Sequence, residues 1–341
     1  MRNRRQFIKE TTLAGLGLSF GLPAAFAGPK IRSETDIRVG IIGLDTSHSP
    51  AFAKYINDPE KVTMKGVSVT AAYPYGSKKI ESSAERIPEY TQQFKDMNIK
   101  IVDSIGDLLK QTDCILLETN DGNPHYEQAL EVMKAGKPVF IDKPLAANLT
   151  QTIKIIEANK KYKVPLFSSS SLRYLPQAQK IRNEHPVGDI KGADAYSPEH
   201  LEPSHTDLYW YGIHGVEILY TLIGTGCQRL KRIMTDKTDM VVGEWDGGRL
   251  GTFRGDLEGR QYYGGIAYGT KGVMDTGNFE GYGLLVEEIV KFFRTRQAPV
   301  DINETLEIYT FMQAADASKE KNGDWVDLKT VYDKAYKEAM G

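Results

Sequence analysis

The chain contains 341 residues, of which 40% are hydrophobic and 26% are charged, and its formal net charge is −2. This composition is that of an ordinary globular protein, and the length is sufficient for two domains. The near-neutral charge argues against nucleic acid or an anionic membrane as a partner. The only cysteines, Cys114 and Cys227, are too few and too far apart in sequence for a disulfide framework.

The first 27 residues have the pattern of an export signal. Arg4 and Arg5 precede an apolar stretch over 13–22 and a small-x-small cleavage site that ends at Ala27. The paired arginines resemble a twin-arginine signal, and an ordinary secretory signal or a basic tail are the alternatives. We therefore predict a leader over 1–27 and a periplasmic or otherwise exported protein, with no membrane contact once the leader is removed. Proteins of that route are exported folded, which suits an enzyme that loads a cytoplasmic cofactor first.

Strands and helices alternate from residue 34 to residue 172. The predicted strands cover 37–42, 67–72, 100–102, 114–117, 140–142 and 165–168. The predicted helices cover 51–57, 80–98, 105–111, 123–135 and 149–161. This alternation predicts an α/β fold, with a doubly wound parallel sheet of the Rossmann type over 34–172.

After residue 172 the pattern is mixed. Helices are predicted over 174–183, 212–223, 284–293 and 305–318. Strands are predicted over 190–196, as several short runs within 230–274, and over 325–328. The second part, 173–341, is therefore predicted to be an α+β domain with a largely antiparallel sheet.

The first βα turn is where a Rossmann domain binds the diphosphate of a dinucleotide. The fingerprint G-x-G-x-x-G falls on Gly43, Asp45 and His48, so only its first glycine is present. Thr46 and Ser47 add hydroxyl donors, whereas helix capping by Asp45 or Ser47 is the alternative role of this turn. We expect all five residues to contact a cofactor.

The second strand is followed by no acidic residue that would hold an adenosine ribose. Ser77 and Lys78 stand there instead, a combination that suits a 2′-phosphate and favours NADP over NAD. A solvated basic loop is the alternative. The cofactor prediction is therefore NAD or NADP, with Ser77 and Lys78 among its contacts.

A longer pattern runs through the carboxyl edge of the predicted sheet. It consists of Thr119, Asn123-Pro124-His125, Ala129, Ala135-Gly136-Lys137 and Asp142-Lys143-Pro144. This set resembles the signature of the Gfo/Idh/MocA family, the relatives of glucose-fructose oxidoreductase and inositol dehydrogenase, whose usual patterns are T-P-N-x-x-H, A-G-K and E-K-P. The resemblance continues through Arg173-Tyr174 and 268–272. It implies further cofactor contacts from Thr119, Asn120, Asn123, His125, Asp142 and Lys143.

The resemblance also implies a catalytic pair. The resemblance places Lys143 beside the nicotinamide and the substrate hydroxyl. The chemistry agrees, because a lysine withdrawn from water has a lowered pKa and can accept a hydroxyl proton. An ordinary surface lysine is the alternative. The family's D-x-x-x-H motif falls on Trp210 and His214, so the histidine is kept and the aspartate is not. Glu217 shares a helix face with His214 and is expected to orient its imidazole, or simply to satisfy a core histidine.

Substrate contacts are expected from polar and aromatic residues around this helix. They are Arg173, Glu199, His200, His205, Trp210, Tyr211 and Glu217. A tryptophan ring packs well against the C–H face of a carbohydrate. His200, His205 and His214 with Glu217 include metal-ligand types, but their spacing matches no standard site, so no metal is predicted.

These residues predict an NAD(P)-dependent oxidoreductase that acts on a hydroxyl of a sugar or cyclic polyol. The cofactor is expected to stay tightly bound, and the resemblance implies a homo-oligomer formed through the open sheet of the second domain. Two alternatives remain. One is a glycoside hydrolase or lyase that uses bound NAD(P) transiently. The other is a non-catalytic sugar-binding relative without cofactor, which Asp45 and Trp210 favour.

Overall fold

A computed structural model describes residues 36–259 and 262–341, and the predicted leader lies outside the described residues. The first sheet consists of β1 (Ile37–Ile42), β2 (Val67–Tyr73), β3 (Lys100–Ile101), β4 (Cys114–Leu117), β5 (Val139–Ile141) and β6 (Leu166–Phe167). All neighbouring strands are parallel, and their order is β3-β2-β1-β4-β5-β6. The order reverses between β1 and β4, which is where doubly wound sheets open a ligand crevice.

Helices connect these strands on both faces of the sheet. They are α1 (His48–Ile56), α2 (Glu81–Ala84), α3 (Ile87–Asp96), α4 (Ile105–Gln111), α5 (His125–Lys134) and α6 (Leu149–Tyr162), with a short 3₁₀ turn at Val62–Met64. Side chains fix two of the helix starts. Ser104 caps α4 by accepting the N–H of Asp107, and Asn148 caps α6 by accepting the N–H of Gln151.

The central strands are apolar throughout because helices cover both of their faces. Every residue of β4 and β5 is buried, as expected for parallel strands in the middle of a doubly wound sheet. The loops that follow β1, β4 and β5 all emerge at one edge, next to the crevice.

The second sheet has seven strands. They are β7 (Ile190–Pro198), β8 (Cys227–Met234), β9 (Thr238–Trp245), β10 (Leu250–Asp256), β11 (Gly264–Gly269), β12 (Val273–Asp275) and β13 (Val326–Asp327). Their order is β12-β11-β7-β10-β9-β8-β13, and only β7 and β10 pair in parallel. A parallel sheet followed by a largely antiparallel one confirms the predicted fold class.

The helices of the second part are α7 (Pro176–Glu184), α8 (Asp207–Trp210), α9 (Ile213–Ile223), α10 (Gly283–Thr295), α11 (Ile302–Glu320) and α12 (Leu328–Met340), with 3₁₀ turns at Ser171–Tyr174 and Asp246–Gly248. All residues of α9 are buried, and this helix packs on β7, β10 and β11. It thereby delivers the side chains of its first turn to the crevice.

The second part of the chain also completes the core of the first. Leu285, Val286 and Phe293 of α10 share one hydrophobic cluster with Val39 of β1 and Phe52 of α1. Helix α12 likewise packs on α6. The boundary predicted at residue 172 therefore separates the two sheets but not the two cores. Among the described residues, no helix is both long and apolar enough to cross a membrane.

Candidate active site

A cleft of about 900 Å³ lies between the carboxyl edge of the parallel sheet and the second sheet. Hydroxyl groups and one arginine from the loops after β1 and β2 line part of it, and aromatic and histidine side chains of the second domain line another part. Within residues 36–259 and 262–341, no aspartate or glutamate lines this cleft. A wall without carboxylates is compatible with an anionic ligand such as a diphosphate.

The turn after β1 has the tight geometry of a nucleotide-binding loop. Gly43 has φ of 98°, and a Cβ on this residue would lie 2.4 Å from the backbone nitrogen of Thr119. Only glycine fits such a position. Thr46, Ser47 and His48 follow and line the cleft where α1 begins.

Asp45 does not line the cleft, which corrects its expected role as a cofactor contact. Its carboxylate is fully buried and accepts hydrogen bonds from the backbone N–H groups of Ser77 at 2.9 Å and Asn120 at 3.0 Å. Burial raises the pKa of Asp45 to about 6, against the lowering effect of these hydrogen bonds. The side chain thus ties together the loops after β2 and β4 and keeps its charge away from the ligand space.

The loop after β2 contributes different residues from those expected. Ser77 is buried, and its hydroxyl donates to Asp121 at 2.9 Å, while Lys78 is exposed and lies outside the cleft wall. Ser82 and Arg86 line the cleft instead. The hydroxyl and the cation that this part of the chain contributes to the cleft wall therefore belong to Ser82 and Arg86, whereas the sequence predicted Ser77 and Lys78.

Most of the residues after β4 stabilise the conformation of the loop and do not line the cleft. Asn120 lines the cleft, and its side-chain amide donates to Ser83 at 2.8 Å. Thr119 is fully buried, and Asn123 hydrogen-bonds to Asp121. The ring of His125 faces the carbonyl oxygens of Thr119 and Leu145 and is fully buried. Of the four cofactor contacts expected here, only Asn120 forms part of the cleft wall.

Lys143 lies at the end of β5 with its side chain in the cleft wall and 8% of its surface exposed. Burial lowers the pKa of its ammonium, against the opposing effect of Asp142 and Glu118. Its Nζ is 5.6 Å from the ring centroid of Tyr211. Asp142 is buried behind it and meets His48 Nδ1 at 2.7 Å, so it acts on the site through His48 and does not line the cleft itself.

His214 reaches the cleft from the first turn of α9. Its Nδ1 is 2.7 Å from the hydroxyl oxygen of Ser170, and burial lowers the pKa of the imidazole well below its usual value. The charge of Lys143 adds to this lowering, and both side chains line the same cleft, where the ring of Tyr211 is 5.7 Å from that of His214 and 5.6 Å from Lys143 Nζ. The neutral ring keeps Nε2 for a ligand. Trp210 and Tyr211 line the cleft beside it.

Glu217 does not orient His214, which corrects the sequence-based expectation. Its carboxylate accepts from Arg173 at 2.6 Å, and Arg173 also donates to Glu304 at 2.7 Å. All three side chains are at least nine-tenths buried and lie outside the cleft wall. Arg173 and Glu217 therefore form a structural ion pair and not a substrate site, because each satisfies the other's buried charge.

Two other expected substrate contacts are also structural. Glu199 is buried beside Arg232, at 3.5 Å, and His205 accepts the backbone N–H of Gly122 at 3.0 Å. Burial lowers the pKa of His205 to about 4, so its ring is neutral. His200 does line the cleft. Within the described ranges, the histidines considered as metal ligands do not gather into one site with Glu217.

The cleft also contains an aromatic wall that the sequence did not reveal. Tyr196 of β7 lines it together with Tyr263, Phe279 and Tyr282. The rings of Tyr263 and Phe279 are 6.2 Å apart, and those of Phe279 and Tyr282 are 5.8 Å apart. These residues stand in loops and at a strand without any motif, so only the fold brings them together.

The strand order, the glycine turn and the cleft at the switch point define the class of this protein: a dinucleotide-binding Rossmann domain joined to an α+β domain. Residues 37–170 match the Gfo/Idh/MocA family model, described as "Oxidoreductase family, NAD-binding Rossmann fold". Residues 37–170 are therefore similar to this family, and the match supports NAD or NADP as the cofactor class.

Two curated relatives match parts of the chain. One is an inositol 2-dehydrogenase of Gluconacetobacter diazotrophicus, 41% identical over 59 residues, or 17% of this chain and 18% of that protein. The other is YceM of Salmonella typhimurium, named only provisionally as an oxidoreductase, 25% identical over 193 residues, or 55% of this chain. The match spans 57% of the length of YceM.

Solved structures share the fold across most of the chain. The scyllo-inositol dehydrogenase of Lactobacillus casei, solved with NAD(H) and scyllo-inositol, has a TM-score of 0.67 at 14% identity and covers 86% of this chain and 100% of its own. The myo-inositol 2-dehydrogenase of Lactobacillus plantarum has a TM-score of 0.69 at 14% identity, with coverages of 86% and 99%. At this identity the likeness concerns the fold.

Proposed function

We propose that this protein is an NAD(P)-dependent oxidoreductase that acts on a hydroxyl group of a sugar or cyclic polyol and keeps its cofactor bound. The observation that carries the proposal is a buried lysine, Lys143, in the wall of a cleft that also contains the first βα turn of a domain similar to the Gfo/Idh/MocA family. His214 lines the same cleft as this lysine.

The residues of the cleft fit a nicotinamide dinucleotide. Thr46 and Ser47 offer hydroxyl and backbone donors to a diphosphate at the start of α1, and Asn120 lies at the end of β4 beside them. Asp45 is turned away and is occupied by backbone N–H groups, so it does not repel an anion. A bound nicotinamide supplies the hydride chemistry.

Lys143 and His214 have different roles at the substrate hydroxyl. The lowered pKa of Lys143 makes its amine available to accept the hydroxyl proton when the substrate is oxidised and to return it in the reverse direction. His214 is neutral and is held through Nδ1 by Ser170, so its Nε2 can hydrogen-bond the same substrate oxygen. Both groups sit where water access is limited, which strengthens these contacts.

The second domain supplies a surface suited to a sugar ring. Trp210, Tyr211, Tyr263 and Phe279 present aromatic rings to the cleft, and such rings pack on the C–H faces of carbohydrates. The polar groups of the asparagine, histidine and tyrosine side chains in the cleft wall can hydrogen-bond the hydroxyls of the substrate. The inositol dehydrogenase relatives support a polyol as the substrate class.

Export and assembly belong to the same proposal. The leader pattern over 1–27 supports export by the twin-arginine route, with the cofactor bound before translocation. An oligomer through the second sheet is supported by exposed apolar side chains on its strands, among them Ile233, Leu250, Tyr268 and Val273. A sheet face of this kind is typical of a protein–protein interface.

The cofactor is the feature to test first. The purified protein is denatured, and the released small molecules are assayed for NAD and NADP; the refolded protein is then titrated with each nucleotide. We expect released or tightly rebound nucleotide, followed by a change in nicotinamide absorbance when inositols or sugars are added. Binding of neither nucleotide would refute the proposal. A cleaved product without net change in absorbance would instead indicate a hydrolase or lyase.

Arg86 should determine the preference for NADP. It lies after β2, where a Rossmann domain holds the adenosine ribose, and it is the arginine of the cleft wall. Because a hydrogen bond to a charged group contributes about 1.5–3 kcal/mol, Arg86→Ala should weaken NADP binding by roughly tenfold or more and leave NAD binding nearly unchanged. Fluorescence titration with both nucleotides measures this. Lys78→Ala, on the exposed loop, is the control, and an equal loss for both nucleotides would contradict the assignment.

A further inference from the structure

Three ligand-type side chains meet behind the catalytic lysine. His48 at the start of α1, Glu118 after β4 and Asp142 after β5 are all buried, and one ligand atom from each lies within 4.8 Å of the other two. They come from the carboxyl ends of three neighbouring strands, so the sheet order itself brings them together. We propose that these three residues bind a divalent transition-metal ion, of the zinc or manganese type.

Glu118 is the residue that points to a ligand. It is fully buried, and neither of its carboxylate oxygens has a hydrogen-bond partner among the protein groups. The Oδ1 atom of Asp142 is also buried without such a partner. Burying a carboxylate without compensating contacts is expensive, and a second carboxylate close by adds repulsion. Asp142 is paired with His48 through its other oxygen, so Glu118 is the group of this pair whose charge has no hydrogen-bond partner.

A cation fits this pair better than a proton does. A proton on Glu118 removes one charge but leaves buried oxygens of both carboxyl groups without partners. Lys143 is near enough to favour the charged form of Glu118, yet it makes no hydrogen bond to these oxygens. A divalent ion balances both carboxylates and uses the unpartnered oxygens as ligands. His48 completes the set with an imidazole nitrogen.

The geometry requires only small movements. In a tetrahedral site with bonds of about 2.1 Å, ligand atoms are about 3.4 Å apart. The three atoms here are within 4.8 Å of one another, so they need to approach each other by at most about 1.4 Å for an ion to be bound. Three protein ligands leave a fourth position open, and His48 lies in the cleft wall, so an ion can enter from the cleft. Bound there, the ion would fix Asp142 and thus the end of β5 that carries Lys143.

Metal binding to the purified full chain tests this proposal. After chelation and dialysis, the wild-type protein is titrated with Mn²⁺, followed by electron paramagnetic resonance, and with Zn²⁺, followed by calorimetry. We expect roughly one ion per chain and a higher unfolding midpoint with the ion bound. Absence of Mn²⁺ and Zn²⁺ binding by the folded wild-type protein would overturn the proposal.

Two variants locate the ion. Glu118→Gln keeps the shape of the side chain and removes its charge. Loss of a residue that only supports a metal ligand lowers metal affinity by about 10- to 100-fold, so loss of the ligand Glu118 itself should lower the affinity for the ion by more than that. Glu199→Gln is the matched control, because Glu199 is also buried with one unpartnered oxygen but lies outside the cluster. Asp142→Asn provides a second ligand variant if Glu118→Gln does not fold. Unchanged affinity in the folded ligand variants would place any bound ion elsewhere and refute the site.

Discussion

Replacement of Lys143 by methionine should lower turnover by about 10²- to 10⁴-fold, the range expected when a general acid or base is removed. Methionine replaces the aliphatic part of the lysine side chain in the cleft wall but lacks the amine that can accept the hydroxyl proton. Cofactor binding, measured by nucleotide release and by fluorescence titration, should remain, because Thr46, Ser47 and Asn120 are untouched. Activity is followed through the nicotinamide absorbance with the best polyol substrate.

Arginine at the same position separates proton transfer from charge. Lys143→Arg places a permanent positive charge beside Asp142 and Glu118, because a guanidinium does not give up its proton at any accessible pH. If Lys143 transfers a proton, this variant should be nearly as inactive as Lys143→Met. Lys54→Met, an exposed change on α1, is the control and should be fully active. A folded Lys143→Met enzyme that keeps most of its turnover would show that another group handles the proton.

The sequence was most informative where a structural element is determined by its own residues. The strand 114–117 and the helix 105–111 were predicted with their observed bounds, because an apolar run and a helix capped by Ser104 are local signals. Lys143 was identified for a similar reason, since a helix, a short apolar strand and a charged pair place it at the ligand edge of a parallel sheet. The final helix, Leu328–Met340, was missed because only Leu328 and Ala335 of it are buried.

The site residues that were misplaced depend on which way a side chain turns, and that is set by distant contacts. Asp45 seemed to face a diphosphate, yet backbone N–H groups of two other loops draw its carboxylate inward. Arg86 was hidden in a run predicted as one helix, whereas the structure divides that run in two and exposes Arg86 to the cleft between α2 and α3. No pattern among the ten residues around either position predicts the inward turn of Asp45 or the exposure of Arg86 to the cleft.

The role of Arg173 also depends on distant contacts, and its replacement should have a large effect on stability. Its partners, Glu217 and Glu304, are 44 and 131 residues away in sequence, so nothing local indicated that its charge was already satisfied. Arg173→Met should lower the free energy of unfolding by about 3–5 kcal/mol, because it leaves Glu217 buried and uncompensated. Arg182 still pairs with Glu304, so the loss falls mainly on Glu217. Urea denaturation of the purified variants measures the change.

The loss of stability in Arg173→Met should be smaller at low pH than at neutral pH. Burial already raises the pKa of Glu217 despite the opposing charge of Arg173, and removal of Arg173 raises this pKa further. A carboxyl whose pKa is higher in the folded state than in the unfolded state favours folding at low pH and opposes it as the pH rises through the folded value. The deficit of Arg173→Met should therefore be smaller in mildly acidic buffer than at neutral pH.

A double variant shows whether the buried charge is the cause. Adding Glu217→Gln to Arg173→Met removes the uncompensated carboxylate, so the pair should recover part of the lost stability and lose the dependence on pH. Arg229→Met breaks an exposed pair with Glu244 and should cost no more than about 1 kcal/mol. If Arg173→Met cost as little as this control, Arg173 would not be important for stability. If the double variant were less stable than the single one, the uncompensated charge of Glu217 would not be the cause of the loss.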